Sequence, residues 1–173
     1  MQSKTAAARQ FRRAGKVLTV RLASGVRRLV DAGEEAGSTH YTYLAYMPAL
    51  QLHVLYVQYY EGEVLMLIDR RSGRTQLVDA MPLFAPDGKR FVTVSFDADA
   101  QFNATRIQLF RRAGGGFVRE FERASDPVVW GPRSARWTDL RHVRIDGICA
   151  NDLASPCSAL TIANSGGRWK IAP

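Results

Sequence analysis

Cysteine and histidine are scarce in this chain, with two and three residues respectively among 173, and acidic side chains are outnumbered 16 to 24 by basic ones. Long apolar runs are missing as well. Val64 to Ile68 is among the longest, far short of the roughly 18 residues a membrane helix needs. The first ten residues, Met1 to Gln10, are polar and small and carry no apolar core of a signal peptide. That pattern is expected either of a cytosolic protein or of a mature form whose leader was removed. Helical periodicity is absent beyond the N-terminal tail, which excludes a helical bundle. There is no GxSxG elbow, HExxH helix, P-loop or GxGxxG fingerprint, so no familiar hydrolase, zinc protease or nucleotide-binding signature is present.

What remains is alternation. Residues 1–15 read as a basic N-terminal tail or a short helix over Thr5–Arg13, and residues 16–173 as a single all-β domain. Leu18, Val20 and Leu22 share one face, Ala23-Ser24-Gly25 is a turn, and Val26 to Val30 returns, a first hairpin. Three looser repeats follow, aligned on Pro48, Pro86 and Pro132, with His53, Phe91 and Trp137 each five residues on. They occupy approximately residues 40–79, 82–122 and 127–172. The first is expected to hold strands at His40–Tyr46, Leu52–Tyr60, Glu63–Asp69 and Arg74–Val78. The second holds them at Pro82–Ala85, Arg90–Phe96, Thr105–Arg111 and Phe117–Glu122. The third holds them at Pro127–Trp130, Ala135–Leu140, Ala159–Ala163 and Arg168–Ile171. The fold class expected is all-β, with three or so repeated four-stranded antiparallel units. Within the second unit, Val92, Val94 and Phe96 should enter the core with Ile107 and Leu109, while Arg106 and Gln108 point away.

Two phrases in these repeats carry a resemblance. Phe84-Ala85-Pro86-Asp87-Gly88-Lys89-Arg90-Phe91-Val92 resembles the start of the second strand in blades of TolB-like and WD-type β-propellers. Leu67-Ile68-Asp69-Arg70-Arg71-Ser72-Gly73-Arg74 looks like the turn that joins the last two strands of such a blade. The resemblance implies a propeller-like or open, incomplete propeller architecture and no particular activity. Three and a half units fall short of the four or more blades that usually close a propeller, so closure by dimerisation is one option.

The chemistry-bearing residues are few. Cys149 and Cys157 flank one turn-forming stretch at a spacing that fits neither a CxxC redox pair nor a zinc knuckle, and they are expected to form a local disulfide. A disulfide implies an oxidising compartment: periplasmic or secreted, with cytoplasmic as the alternative. His40, His53 and His142 are far apart, and His53 and His142 fall in strands, where a histidine usually serves structure. Asp97, Asp99, Gln101 and Asn103 crowd one loop without EF-hand spacing and read as a solvated turn. Glu34-Glu35 reads the same way, and Asn103-Ala104-Thr105 matches a glycosylation acceptor. No metal, cofactor or catalytic residue is expected.

Surface chemistry is the stronger signal. The net charge of +8 comes largely as arginine pairs, Arg12-Arg13, Arg27-Arg28, Arg70-Arg71 and Arg111-Arg112, which attract anionic partners. All six tyrosines fall between Tyr41 and Tyr60, as inter-sheet filling or as an interface patch. If the units stack as blades, Arg70, Arg71, Arg111, Arg112, Asn164 and Ser165 all sit at turns between third and fourth strands and form one partner-binding rim. The function expected is that of a non-enzymatic, exported bacterial binding protein that grips an acidic protein partner, such as an inhibitor or immunity protein against a secreted toxin. The alternatives are a binder of nucleic acid or an anionic envelope polymer, and an unrecognised hydrolase.

Overall fold

Strand alternation builds nearly the whole chain. A computed structural model describes residues 10–33, 37–97, 104–124, 130–149 and 152–172, with backbone alone over 152–157. These residues form fifteen strands and a single 3-10 turn, Pro48–Leu50. The strands are β1 (Phe11–Ala14), β2 (Val17–Leu22), β3 (Gly25–Val30), β4 (Thr39–Met47), β5 (Leu52–Tyr59), β6 (Glu63–Asp69) and β7 (Thr75–Val78). They continue as β8 (Leu83–Phe84), β9 (Arg90–Ser95), β10 (Arg106–Ala113), β11 (Gly116–Ala124), β12 (Trp130–Trp137), β13 (His142–Cys149), β14 (Asp152–Ser165) and β15 (Arg168–Ile171). They make four antiparallel sheets, each a meander in chain order: three strands in β1–β3, then four in each of β4–β7, β8–β11 and β12–β15. The arrangement is all-β and blade-like. No helix among the described residues is long and apolar enough to cross a membrane.

Contacts group the chain into two compact units, residues 1–78 with 114–116, and residues 79–113 with 117–173. In the first, Leu18 and Val20 of β2 pack on Leu55 of β5 and Ile68 of β6, with Phe11, Tyr41 and Tyr43 around them. In the second, Val92, Ile107 and Leu109 pack on Val143, Ile145, Ile162 and Trp169. Each core is the meeting of two sheets, as stacked β-layers require to bury their apolar faces.

The pairings Ile107↔Val94 and Leu109↔Val92 put these residues in one core with Val143 and Ile145, as alternation demands. Arg106 and Gln108 leave by the other face, where Arg106 bonds Asp79 and Gln108 donates to Glu122 (3.0 Å). That second face is not open to solvent: Gln108 is buried, as are Phe91, Thr93 and Phe110. Phe91 stacks on Phe110 at 4.8 Å between ring centroids, with Phe117 edge-on at 5.0 Å. Phe96 lies just beyond the end of β9 and is partly buried against Gly131, where an added Cβ would come within 2.0 Å of its ring.

Four expectations change. Phe11–Ala14 pairs with β2 as strand β1, so the short helix expected over Thr5–Arg13 does not extend to these residues; residues 1–9 lie outside those described. Pro132 stands inside β12, at a bulge between Pro132 and Ser134, and not at the turn that follows a first strand. A bulge tolerates proline because ladder pairing is already interrupted there. The third repeat is therefore out of phase: Trp137 ends its first strand, and the first turn is Thr138–Arg141. Finally, the stretch between the cysteines is mostly strand. β14 starts at Asp152, and Ile148 pairs with Pro156 and Gly147 with Cys157.

Candidate binding surface

The two phrases that suggested blades fold into tight turns for local reasons. At Pro86-Asp87-Gly88, Gly88 takes φ +65° and donates to the Ala85 carbonyl (2.8 Å), while the Asp87 carboxylate accepts from Lys89 N–H (2.9 Å). At the β6–β7 turn, Asp69 is 2% exposed. Its Oδ1 accepts the N–H groups of Arg71 and Ser72, both at 2.9 Å, and the Ser72 hydroxyl at 3.2 Å. Gly73 then supplies the left-handed residue at φ +70°. Aspartate, serine and glycine at those positions fix the direction in which the two arginines between them leave the sheet.

The arginines divide into committed and presented groups. Arg70 is half-buried: its N–H donates to the Gln51 carbonyl (2.8 Å), its carbonyl accepts Ala23 N–H (2.8 Å), and its Nη1 donates to Gln51 Oε1 (3.2 Å). Its Nε is buried without a hydrogen-bond partner. Arg71, one residue on, is exposed. In the second unit, Arg111 donates to Glu120 (2.6 Å), and the Arg112 guanidinium lies 5.6 Å from the centroid of Phe117. Asn164 is tied by its N–H to the Arg141 carbonyl (2.8 Å), whereas Ser165 is exposed. Arg70 and Arg71 belong to the first unit and the other four to the second. Of these six residues, Arg71 and Ser165 are the exposed ones.

Two polar centres hold the sheets together within the units: Glu120, which sequence reading missed, and His53, for which it expected a structural role in a strand. Glu120 accepts from Arg90 Nε (2.7 Å), Arg111 Nε (2.6 Å) and Trp169 Nε1 (3.0 Å), and so joins β9, β10 and β15. Burial raises its pKa, but the hydrogen bonds from Arg90, Arg111 and Trp169 outweigh this and hold the carboxyl below its usual range. In the first unit, His53 on β5 is fully buried, with Nε2 2.8 Å from the Arg21 carbonyl and Nδ1 2.9 Å from the Tyr43 hydroxyl. A carbonyl can only accept, so Nε2 carries the proton and Nδ1 accepts from Tyr43. Burial lowers the His53 pKa, and the nearby Arg70 charge adds to this against the opposing Arg21 hydrogen bond. His53 is thus a neutral structural residue. His142 is partly exposed and bonds Asp139 (2.8 Å) in the Thr138–Arg141 turn. Nothing in the sequence pattern pairs Glu120 with Trp169, 49 residues away.

Other side chains are left to solvent. Val26 is 59% exposed, Val30 55% and Tyr60 66%. A shallow pocket of about 350 Å³ is lined by Gly37, Ser38, Tyr59, Tyr60 and Glu61. Among the described residues no cluster of histidine, cysteine or carboxylate side chains could hold a metal ion. The Asp99-Gln101-Asn103 loop, Glu34-Glu35 and the Asn103 acceptor lie outside the described residues, as does the Cys157 side chain. Among the described residues no cysteine is free.

No protein-family model matches the chain, and no curated protein matches it. The blade-like character rests on the sheets themselves.

Proposed function

We propose that this is a non-enzymatic binding protein that works by contact with an acidic protein partner. The observation that carries the reading is the division of its polar groups. Buried His53 and part-buried Glu120 are spent on holding sheets together, and buried Asp69 on fixing the β6–β7 turn. The exposed positions combine arginine with large apolar and aromatic side chains: Arg28, Arg71, Val26, Val30 and Tyr60. Arginine and tyrosine beside apolar surface are the residue types that dominate protein interfaces, and a basic surface steers acidic partners into place. Of the six rim residues expected from sequence, Arg71 in the first unit and Ser165 in the second are each presented to solvent, whereas Arg70, Arg111, Arg112 and Asn164 make contacts within their own units.

The finer reading is an exported inhibitor or immunity protein acting on a secreted toxin. A Cys149–Cys157 bridge would suit an oxidising compartment, and the pairing of Gly147 with Cys157 brings Cys157 onto the strand next to Cys149. The net charge of +8 supports the alternative of a nucleic-acid or anionic-polymer binder. Salt separates the two. Binding through phosphates falls steeply between about 50 and 200 mM salt, whereas a packed protein contact persists. Retention of a protein partner at the higher salt, lost in a folded Arg71→Glu variant, is the expected result. Salt-steep oligonucleotide binding with no protein partner would replace this reading with the alternative.

A further inference from the structure

We infer that the outer edge of β3 is a strand-addition site that takes an extended segment of the partner, with an acidic side chain between two apolar ones. This rests on the protein-binding reading above and names its surface. In the sheet β1–β2–β3, among the described residues, β3 has a hydrogen-bonded neighbour on one side, β2; on its other edge Thr39 bridges Ala32, two residues past the end of the strand, and leaves Gly25–Val30 without a paired strand. Asp31 N–H donates to the Lys16 carbonyl at 2.8 Å, and the register continues through Val17↔Val30 and Leu18↔Leu29. Hydrogen-bonded pairs alternate along an antiparallel ladder. Leu29 and Arg27 therefore bond β2, and the N–H and C=O groups of Val26, Arg28 and Val30 face the open edge.

The same three residues carry the exposed side chains. Val26, Arg28 and Val30 alternate along one face, while Leu29 enters the core and Arg27 donates to the Gly73 carbonyl at 2.7 Å. Arg28 has no side-chain partner among the described residues. The last strands of the other sheets are blunted in the usual ways. β11 carries Arg119, Glu122 and Arg123, β15 carries Arg168 and Lys170, and β7 has four residues. β3 has six, with two of the most exposed aliphatic side chains among the described residues. Its backbone offers a template, its valines offer apolar contacts at alternate positions, and its one free charge selects the partner.

That charge also decides between occupants. A second copy pairing antiparallel in the register that covers both valines would set Arg28 directly against Arg28, and like charges in opposition destabilise a sheet. A partner strand with glutamate or aspartate at that position gains an ion pair instead.

The test uses a seven-residue capped peptide alternating valine and glutamate, a version alternating valine and lysine, and amide hydrogen exchange read by NMR on the full chain. In the free protein the Val26, Arg28 and Val30 amides should exchange fast while Arg27 and Leu29 are protected. The glutamate peptide should slow those three amides at least tenfold, and the lysine peptide should not. Arg28→Glu should reverse the preference between peptides. Val26→Lys/Val30→Lys should abolish protection without lowering the melting temperature. Absence of protection, protection at another strand, or equal protection by both peptides on the wild-type chain would overturn the inference. A purified protein partner that binds the double-lysine variant as tightly as wild type would also overturn it, while leaving the protein-binding reading intact. Failure of that broader reading would show instead as salt-steep binding of oligonucleotide alone.

Discussion

His53 on β5 donates from Nε2 to the carbonyl of Arg21 on β2, 2.8 Å away, and so ties two sheets of the first unit through one imidazole. The Tyr43 hydroxyl closes the other side of the ring, and burial disfavours a second proton on the imidazole.

That geometry gives a pH dependence. The folded pKa of His53 lies below its unfolded value of about 6.5, so below that pH the unfolded chain binds more protons than the folded one. The stabilisation is complete above about pH 6.5 and is lost as pH falls toward the folded pKa. Urea midpoints measured from pH 7.5 to 5 should decline in the wild type and decline less in His53→Gln. Parallel pH profiles would contradict the neutral, structural role.

Glu120 gathers Arg90, Arg111 and Trp169 onto one carboxylate. Replacing it with alanine strands two part-buried guanidinium groups and an indole N–H, and should cost about 2 kcal/mol. Because its folded pKa is depressed, its contribution is present above the ordinary glutamate range and is lost as pH falls through the folded value. A chemical-denaturation midpoint unchanged by Glu120→Ala would show the cluster to be solvated decoration.

Gly147 lies under the Trp130 indole, and a Cβ there would stand 2.1 Å from Nε1. Gly147→Ala should destabilise by about 1–3 kcal/mol through overpacking. Trp130→Ala in the same chain should relieve most of that increment. A double-mutant cycle with no coupling would show that the indole gives way freely.

Denatured, unreduced protein should show no titratable thiol, because Cys149 and Cys157 are proposed to be bonded. Reduction should then cost roughly 2–3 kcal/mol for so short a loop. Two free thiols per chain would remove both the bridge and the argument for export.

The strands of the first two repeats were legible because period-two alternation and Asp/Pro/Gly turns are local signals. Leu52–Tyr59 and Glu63–Asp69 lie within one residue of the spans read from sequence. The third repeat was misphased because Pro132 imitates a turn, while in the fold it occupies a bulge. Arginine pairs marked the turns correctly as polar, yet could not show which guanidiniums are spent internally. Arg111 is committed by Glu120, nine residues on across a turn, and Arg70 by Gln51 at the turn that precedes β5. Such pairings depend on tertiary register, which composition and spacing do not carry. The open edge of β3 was equally hidden, since an edge strand and a central strand share one alternation.

The most direct test of protein binding through presented arginine is the affinity of a purified protein partner, captured with the wild-type chain, for Arg28→Glu/Arg71→Glu at 50 and 200 mM salt. A 20-nucleotide oligonucleotide is titrated alongside. The account predicts wild-type binding to the protein that survives 200 mM salt and falls at least tenfold in the folded double variant, with oligonucleotide binding lost at the higher salt. Undiminished partner binding by the double variant, or oligonucleotide affinity that outlasts the protein contact at 200 mM, would contradict it.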